Sequence, residues 1–332
     1  MERIGIVGAG AWGTTLAKLQ AEKGYPVTLW VWEHELAATI KRERENAIYL
    51  PGVELPESLE VTTSLVQVAL GSSALILVTP SHVLRSVFAE ILPFVDPSAL
   101  LISATKGLEH GSCLTMSQVM RQVAPKARPI AALSGPSFAK EVSRGLPAAV
   151  VAASYDPDTA KQAQRLLNTS ILRVYAGNDP LGVEVGGAIK NVIAIAAGVV
   201  DGLGLGHNAM AAVVTRGLRE MTRLGESMGA KAETFAGLAG LGDLVLTCTG
   251  DLSRNRQLGL ALGKGASLAE LLRRSSTVKE GVNAARAAVS LAKRFSVEMP
   301  ICGEISAILF ENKSPQEAVT DLMTRALKAE EE

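Results

Sequence analysis

A glycine-rich segment close to the N-terminus constrains the fold more than any other feature of the chain. The apolar run Ile4–Val7 precedes a turn with glycines at positions 8, 10 and 13, and a helical pattern follows the turn. In this spacing Gly8 permits a tight turn, Gly10 lets a pyrophosphate approach the backbone, and Gly13 allows close helix-on-strand packing. Free N–H groups at the helix N-terminus would hold the phosphates. A purely structural turn is the alternative, but the flanking strand and helix favour a dinucleotide-binding corner.

A second predicted strand, residues 27–32, leads directly to Glu33. In dinucleotide-binding sheets an acidic residue at this point accepts hydrogen bonds from the free ribose hydroxyls of NAD. It would also repel the 2′-phosphate of NADP. We therefore expect NADH to be used at least as well as NADPH. In the alternative, Glu33 faces solvent and Lys41, Arg42 or Arg44 supplies positive charge to a 2′-phosphate.

Length and composition exclude several classes of protein. A chain of 332 residues is long enough for two domains, and 48% hydrophobic with 20% charged residues is ordinary for a soluble protein. The 33 basic residues balance the 33 acidic residues, so no basic surface for nucleic acid is expected. No signal peptide is evident, and Lys190 and Asn191 interrupt the best membrane-spanning candidate. We expect a cytoplasmic protein without membrane insertion.

The cysteine and histidine residues give no indication of a metal site. The three cysteines are far apart in the sequence, which argues against a disulfide framework or a thiolate site. The four histidines never fall at ligand spacing. His207 lies in a glycine-rich bend without a partner, and we interpret it as a solvated residue. No metal is expected.

The pattern of apolar runs divides the chain into two parts. Up to about residue 180, short apolar runs alternate with helical patterns, which indicates a mostly parallel sheet covered by helices. The predicted strands that follow the first two are residues 74–79, 100–105, 129–133, 148–153 and 172–175, with helices at 81–92 and 157–167. The second part is helical throughout, with helices predicted at 182–200, 208–228, 253–262, 280–295 and 315–327. The sequence predicts an α/β Rossmann-type domain, residues 1–179, and an all-α domain, residues 180–332.

Three predicted strands end in polar or glycine-rich residues, at positions 79–81, 105–107 and 134–139. Ligands of an open parallel sheet bind in the crevice at the carboxyl ends of its strands. All three segments are therefore expected to face the nucleotide. Lys106 read alone would be an ordinary exposed loop lysine. Its position directly after a strand favours a role in the site.

Lys190 lies among small and aliphatic residues, in a segment that reads as a buried helix. Burial of an ammonium group is costly unless the group is paired or its pKa falls. A desolvated lysine is well suited to general acid–base chemistry because its pKa approaches neutrality. The alternative is a surface lysine whose aliphatic stem covers apolar area. The apolar residues on nearly every side favour the catalytic interpretation.

Two further segments of the second half carry polar residues in an unusual context. A glycine-rich loop leaves Asp243 beside apolar residues, and Ser253 precedes Arg254 and Asn255. Ser253 is a good N-cap, so Arg254 and Asn255 would lie in the first turn of a helix, where the macrodipole favours an anion. A bound phosphate explains an arginine at this end of a helix. A solvated basic turn is the alternative.

An ordered set of motifs resembles one family over essentially the whole chain, the bacterial NAD(P)-dependent glycerol-3-phosphate dehydrogenases. The motifs are Gly8-Ala9-Gly10-Ala11-Trp12-Gly13-Thr14, Thr105-Lys106-Gly107, Ser134-Gly135-Pro136-Ser137-Phe138-Ala139, Lys190-Asn191-Val192-Ile193-Ala194, Thr215-Arg216-Gly217, Leu241-Gly242-Asp243-Leu244 and Arg254-Asn255-Arg256. This resemblance implies a Rossmann domain and a helical domain with the active site between them. It also implies reversible reduction of dihydroxyacetone phosphate to sn-glycerol 3-phosphate for glycerophospholipid synthesis, and a homodimer.

The resemblance further implies roles for individual residues. Lys190 matches the acid/base lysine of the family, and Lys106 matches a lysine that touches both cofactor and substrate. The implied substrate contacts are Lys106, Gly135, Ser137, Lys190, Asp243, Ser253, Arg254 and Asn255. The residues expected to bind NAD or NADP are Gly8, Gly10, Ala11, Trp12, Gly13, Trp32, Glu33, Lys106, Ala139, Arg254, Val278 and Glu280.

Two other functions share parts of this pattern. A 3-hydroxyacid or 6-phosphogluconate type dehydrogenase has the same two-domain plan and also uses a helical lysine. A nucleotide-sensing module would bind the dinucleotide without turnover, but it has no need of a buried ionisable lysine beside a phosphate site. The Asp243 loop together with Arg254 and Asn255 favours the triose phosphate.

Overall fold

One sheet organises the N-terminal half of the protein. The computed structural model describes residues 2–124, 128–274, 279–327 and 329–330. Within these ranges the strands are β1 (Ile4–Val7), β2 (Val27–Trp30), β3 (Glu60–Thr62), β4 (Ala74–Leu77), β5 (Leu100–Ser103), β6 (Ile130–Ser134), β7 (Ala148–Ala153) and β8 (Leu172–Gly177).

The described strands form a single sheet in the order β3-β2-β1-β4-β5-β6-β7-β8. Every neighbouring pair is parallel except β6 with β7, which is antiparallel. Ile6 at the centre of the sheet pairs with Leu29 on one side and Ile76 on the other. The predicted Rossmann-type, mostly parallel sheet is confirmed. Strand β3 was not predicted, because three residues are too few to show the apolar pattern of a strand.

Helices cover the sheet and then form the second half of the chain. The helices that accompany the sheet are α1 (Ala11–Glu22), α2 (His34–Glu43), α3 (Leu65–Ala69), α4 (Leu84–Ile91), α5 (Met116–Val123), α6 (Ala139–Val142) and α7 (Pro157–Leu167). The following helices are α8 (Pro180–Gly202), α9 (Gly206–Ser227), α10 (Ala232–Ala236), α11 (Asp243–Thr249), α12 (Arg254–Gly263), α13 (Leu268–Arg274), α14 (Lys279–Phe295), α15 (Pro300–Phe310) and α16 (Pro315–Thr324).

The predicted helical character of the second half is confirmed, whereas several boundaries and short helices differ from the prediction. Helices α10, α11, α13 and α15 were not predicted, and helix α16 ends three residues earlier than expected. The segment Leu238–Gly242, predicted as a loop, is a turn of π-helix that runs into α11. His207 lies exposed near the start of α9 rather than in a bend.

Both faces of the sheet are buried, because successive residues of β1 belong to different cores. Ile4 and Ile6 pack in one cluster, whereas Val7 packs in the cluster on the opposite face. A third cluster surrounds α8 and contains most of the buried apolar residues of the helical half. Leu108, from the loop after β5, also packs in this third cluster. The loop therefore connects the sheet to the helical core.

Helix α8 is the central element of the helical half. It has 23 residues, and by length and composition alone it would be long and apolar enough to cross a membrane. The expectation that no apolar segment reaches this length was therefore wrong. Its whole apolar window is buried against the rest of the protein. The helix thus uses its apolar surface in the protein core.

Candidate active site

Two lysines and one aspartate form an ionic cluster between the sheet and the helical half. The Lys190 Nζ lies 2.5 Å from Asp243 Oδ1 and donates to Thr247 Oγ1 at 2.8 Å. The Lys106 Nζ donates to the other carboxylate oxygen, Asp243 Oδ2, at 2.8 Å. One carboxylate therefore holds an ammonium group from each half of the chain.

Three elements bring these side chains together. Lys190 projects from the middle of α8, and Lys106 follows β5 at the carboxyl end of the sheet. Asp243 is the first residue of α11, directly after the π-helical turn. Lys190 and Asp243 are almost fully buried, and Lys106 is half-buried. The burial predicted for Lys190 is therefore confirmed, and Lys106 provides the exposed side of the cluster.

Burial and charge set the protonation of this cluster. Desolvation lowers the pKa of Lys190 to about 8, although the Asp243 carboxylate acts in the opposite direction. Burial alone would raise the pKa of Asp243, but the positive charges of Lys106 and Lys190 hold it below its usual value. Burial raises the pKa of the neighbouring Cys248 thiol to about 12. The pKa of Lys190 therefore lies closer to neutral pH than that of an ordinary lysine.

Gly135 and Ser137, at the carboxyl end of β6, lie beside Lys106. The Lys106 Nζ donates to the carbonyl oxygen of Gly135 at 2.8 Å and lies 3.5 Å from Ser137 Oγ. Ser137 Oγ also donates to the Gly135 carbonyl at 2.9 Å. The structure thus brings these two predicted substrate contacts to the lysine cluster.

The start of helix α12 lies on the other side of the cluster. Ser253 caps this helix, because its Oγ accepts from the Arg256 N–H at 3.2 Å. Arg254 is the first helical residue and is exposed, whereas Asn255 donates to Asn191 Oδ1 of α8 at 2.9 Å. The predicted N-cap and first turn are confirmed. Asn191 was not assigned a role from the sequence, although it directly follows Lys190.

The two arginines of this turn have different surroundings. Arg256 is paired with Asp201 Oδ2 at 2.7 Å and with Asp251 Oδ1 at 2.9 Å. Arg254 is exposed, has no ion pair within the described part of the chain, and lies close enough to Glu280 and Tyr49 to influence the pKa of each. Arg256 is therefore held by the protein, and Arg254 is the arginine that can reach a ligand.

The glycine turn after β1 forms a cradle suited to a pyrophosphate. Gly8 has φ +118°, and a Cβ at Gly13 would lie 1.9 Å from the Gly8 carbonyl oxygen, so the predicted tight turn and close packing are confirmed. A Cβ at Gly10 would meet no heavy atom of the described residues within 4 Å. No side chain caps α1, and the buried Trp12 Nε1 has no hydrogen-bond partner among those residues. The uncapped N–H groups at the start of α1 fit an anionic dinucleotide.

Two residues that the sequence did not reveal hold this corner together. Asn46 is fully buried, and its Nδ2 donates to the Ala9 carbonyl and to Thr14 Oγ1, both at 2.8 Å. Tyr49, three residues further along the chain, donates its hydroxyl to Glu33 Oε1 at 2.8 Å. No sequence signal links Asn46 to Thr14, which is 32 residues away. The segment after α2 therefore fixes both the glycine turn and Glu33.

The remaining residues predicted to bind the cofactor lie on several different elements around this corner. Ala139 begins α6, and its carbonyl accepts from Thr15 Oγ1 of α1 at 3.2 Å. Glu280, at the start of α14, accepts from the Ser81 N–H at 3.4 Å, which brings it to the carboxyl end of β4. Trp32 is 73% exposed and packs at a tilt against Trp30. Val278 lies outside the described residues.

Burial of Glu280 raises its pKa to about 7, and the charges of Arg254, Lys106 and Lys190 oppose this rise. The carboxyl therefore lies within electrostatic range of the lysine cluster. The arrangement combines a proton-transfer group, an anion-binding helix start and a dinucleotide cradle. Such a site is suited to hydride transfer accompanied by proton transfer on a small phosphorylated substrate.

Comparison with known proteins gives a consistent result over both halves of the chain. Residues 3–160 match the sequence profile described as the NAD-dependent glycerol-3-phosphate dehydrogenase N-terminus, and residues 179–320 match the corresponding C-terminus. A relative from Geobacter sulfurreducens, named glycerol-3-phosphate dehydrogenase [NAD(P)+], is 56% identical over 99% of both chains. The like-named protein of Geobacter metallireducens is 53% identical over the same shares. A crystal structure of glycerol-3-phosphate dehydrogenase from Coxiella burnetii superposes with a TM-score of 0.93, at 41% identity, covering 98% of this chain and 99% of that one.

Proposed function

Because the chain belongs to the NAD-dependent glycerol-3-phosphate dehydrogenase family, it is an NAD(P)-dependent oxidoreductase of dihydroxyacetone phosphate and glycerol 3-phosphate, and we propose that Lys190 carries the proton of this reaction. The observation that carries the proposal is the buried Lys190 ammonium, 2.5 Å from Asp243 and beside Lys106. When bound in the glycine cradle, reduced nicotinamide would supply the hydride for C2 of the substrate. Lys190 gives its proton to the C2 oxygen during reduction and takes it back during oxidation.

The neighbouring side chains prepare Lys190 for this role. Asp243 orients the ammonium and stabilises its charge, and Thr247 fixes the same nitrogen from the next helical turn. Lys106 extends the positive potential to the exposed side of the site, where it polarises the carbonyl of the substrate. Preorganised charges of this kind act strongly in a site that excludes water.

The reaction is tested by the absorbance of reduced nicotinamide. Addition of dihydroxyacetone phosphate to the enzyme and NADH or NADPH should decrease this absorbance, and dihydroxyacetone is the control without a phosphate. A protein that bound the dinucleotide without this decrease would be a sensor rather than an enzyme.

We expect opposite pH dependences for the two directions of the reaction. Reduction needs the Lys190 ammonium, so its kcat/KM should fall as pH rises through about 8, the pKa to which burial lowers this group. Oxidation needs the neutral amine, so its kcat/KM should rise over the same range. The check is kcat/KM in both directions from pH 6 to 10. Parallel profiles would contradict proton transfer by Lys190.

We propose that the start of α12 binds the phosphate of the substrate. The Ser253 cap leaves the first-turn N–H groups directed out of the helix, and the exposed Arg254 guanidinium lies beside them. Asn255 is oriented toward the site by its bond to Asn191. A dianionic phosphate suits this combination of helix dipole and guanidinium.

Arg254→Ala should therefore weaken discrimination between dihydroxyacetone phosphate and dihydroxyacetone. We expect kcat/KM for the phosphorylated substrate to fall about tenfold to a hundredfold, since hydrogen bonds to charged groups contribute roughly 1.5–3 kcal/mol. Arg254→Lys should recover only part of the loss, because a point charge lacks the planar fork.

Arg256→Ala is the matched control for this prediction. It removes a guanidinium two residues along the same helix, but one that Asp201 and Asp251 already hold. It should lower the unfolding temperature and leave the discrimination between the two substrates unchanged. Equal losses for both substrates in Arg254→Ala would assign Arg254 to the cofactor alone.

We also propose that the Glu33 carboxylate binds the ribose hydroxyls of the cofactor and thereby favours NADH over NADPH. Tyr49 holds its carboxylate at the end of β2, which supports a fixed rather than a freely solvated side chain. Two of the basic residues that could have read a 2′-phosphate have other contacts. Arg44 donates to the carbonyls of Pro56 and Leu59, and Arg42 pairs with Glu43 at 2.7 Å.

Glu33→Arg should shift cofactor preference toward NADPH. We expect the ratio of kcat/KM for NADPH to that for NADH to rise roughly tenfold, equivalent to about 1.4 kcal/mol. The four kcat/KM values are measured at one ionic strength, because the effect depends on charge. Strong NADPH preference in the wild type, unchanged in Glu33→Arg, would show that another residue reads the ribose.

Four broader statements are proposals that the family resemblance supports. The division between the domains falls at residues 179 and 180, between the end of β8 and the start of α8. The enzyme is cytoplasmic and supplies glycerol 3-phosphate to phospholipid synthesis. Its assembly is a homodimer, which sedimentation of the purified protein would test.

A further inference from the structure

A second buried carboxylate joins the two halves of the protein at some distance from the lysine cluster. Glu184 lies on α8 and is 5% exposed. Its Oε1 accepts from the Ser117 N–H at 2.8 Å, and its Oε2 accepts from Ser117 Oγ at 2.5 Å. Ser117 is the second residue of α5, so the carboxylate occupies the positive end of that helix. Glu184 therefore anchors a helix of the Rossmann half to the core helix of the other half.

This anchor lies at the far end of the segment that begins with Lys106. Residues 106–117 connect β5 to the first turn of α5 and contact the helical half at several points, including Ser112, whose carbonyl accepts from Arg294, and the three positions that follow. Lys106 is held by Asp243, Leu108 packs in the core around α8, and Ser117 is held by Glu184. Leu108 also pairs with Thr115, which closes the segment on itself. The position of Lys106 thus depends on both ends of the segment.

Helix α8 relates this anchor to the proton-transfer lysine. Lys190 follows Glu184 by six residues on the same helix, which corresponds to about 9 Å along its axis. We propose that Glu184 is a positioning residue that sets Lys106 relative to Lys190 by holding residues 106–117 on α8. This inference rests on the roles proposed above for the two lysines.

The pH profile of the reaction reports this positioning. The charged and titratable groups that act on Lys190 are Asp243, Lys106 and Cys248, and Glu280 also faces the cluster. The positive charge of Lys106 lowers the pKa of Lys190. If the segment loses its anchor and Lys106 moves away from the cluster, the pKa of Lys190 rises above about 8. A loss of stability alone would not move this pKa.

The full-length Glu184→Ala variant tests the proposal. We expect kcat to fall about tenfold to a hundredfold, the range for misplacement of a catalytic group by about 1 Å. The midpoint of the alkaline decline in reduction should move to higher pH. Glu184→Gln should restore both, because its amide oxygen accepts from the Ser117 N–H and its amide N–H donates to Ser117 Oγ.

Glu220→Ala is the matched control, because Glu220 is the same kind of anchor in a different place. This buried carboxylate on α9 accepts from the N–H groups of Ile301 and Cys302, at 2.6 and 3.1 Å, at the start of α15. It joins two elements of the helical half and makes no contact with residues 106–117. Its loss should lower the unfolding temperature without changing kcat or the pH midpoint.

Two outcomes would overturn the proposal. In the first, a folded Glu184→Ala variant keeps the wild-type kcat and the wild-type pH midpoint. In the second, Glu220→Ala changes kcat and the pH midpoint as much as Glu184→Ala does. If Glu184→Ala does not fold, Ser117→Ala removes one of the two contacts and keeps the backbone bond, and it should change kcat and the midpoint in the same direction. An unchanged Ser117→Ala would then count against the proposal. A Lys190→Ala variant with wild-type kcat would instead reject the proposed proton transfer, which separates the two failures.

Discussion

Lys190→Ala is expected to lower kcat and kcat/KM together by about 10²- to 10⁴-fold, the usual contribution of a positioned proton-transfer group. Dinucleotide binding should remain nearly unchanged, because the glycine turn and Glu33 lie on other elements of the Rossmann half. The neighbours of Lys190 along α8 are small and apolar, and Asp243 keeps its ion pair with Lys106, so we expect an alanine to be tolerated there. Steady-state kinetics in both directions give kcat and kcat/KM, and titration with the reduced dinucleotide gives its affinity.

Lys161→Ala is the control for the loss of a lysine from a helix, since Lys161 is exposed on α7. It should behave as the wild type in all three measurements. Wild-type kcat in Lys190→Ala would remove Lys190 from the mechanism. A loss of dinucleotide affinity as large as the loss of kcat would indicate a damaged fold rather than a missing proton donor.

The second large effect is expected for Asp243→Asn. The substitution conserves the shape of the side chain but leaves Lys106 and Lys190 without their shared carboxylate. Because Lys190 then loses its orientation, kcat should fall about a hundredfold or more. Removal of one partner from a buried ion pair also destabilises a protein by about 3–5 kcal/mol. Since Asp243 raises the pKa of Lys190, its loss should move the alkaline decline of reduction to lower pH.

The control for this variant is Asp201→Asn, which also removes a carboxylate from an ion pair of α8. Asp201 pairs with Arg256 at 2.7 Å and makes no contact with the lysine cluster. A moderate loss of stability with unchanged kcat is expected there. A pH midpoint in Asp243→Asn that stayed where it is in the wild type would mean that Asp243 does not control the protonation of Lys190.

Local features made part of this site predictable from the sequence. The glycine turn requires only residues 8–13 and their flanking strand and helix, and Ser253 followed by Arg254 forms a helix start on its own. Lys190 was identifiable because small and aliphatic residues flank it on nearly every side, which favours a buried ammonium over a surface lysine. In each case the physical cause lies within one or two turns of the chain.

The contacts between distant residues were not predictable in the same way. Asp243 binds lysines that are 53 and 137 residues away, and Glu184 binds a residue 67 positions away. Such pairings depend on how α8 packs against the sheet, and this packing cannot be inferred from the spacing of apolar residues within one segment. The antiparallel pairing of β6 with β7 was missed for the same reason, because both orientations produce similar buried apolar runs.

Helix α8 also has a consequence for biosynthesis. The helices α9, α11, α12 and α14, which cover much of it, all follow it in the chain, so the ribosome releases an apolar segment of membrane-spanning length before these four partners exist. Transiently exposed apolar surface promotes aggregation. We therefore expect nascent chains that stop before α14 to aggregate more readily than the completed chain, in which the apolar window of this helix is fully buried.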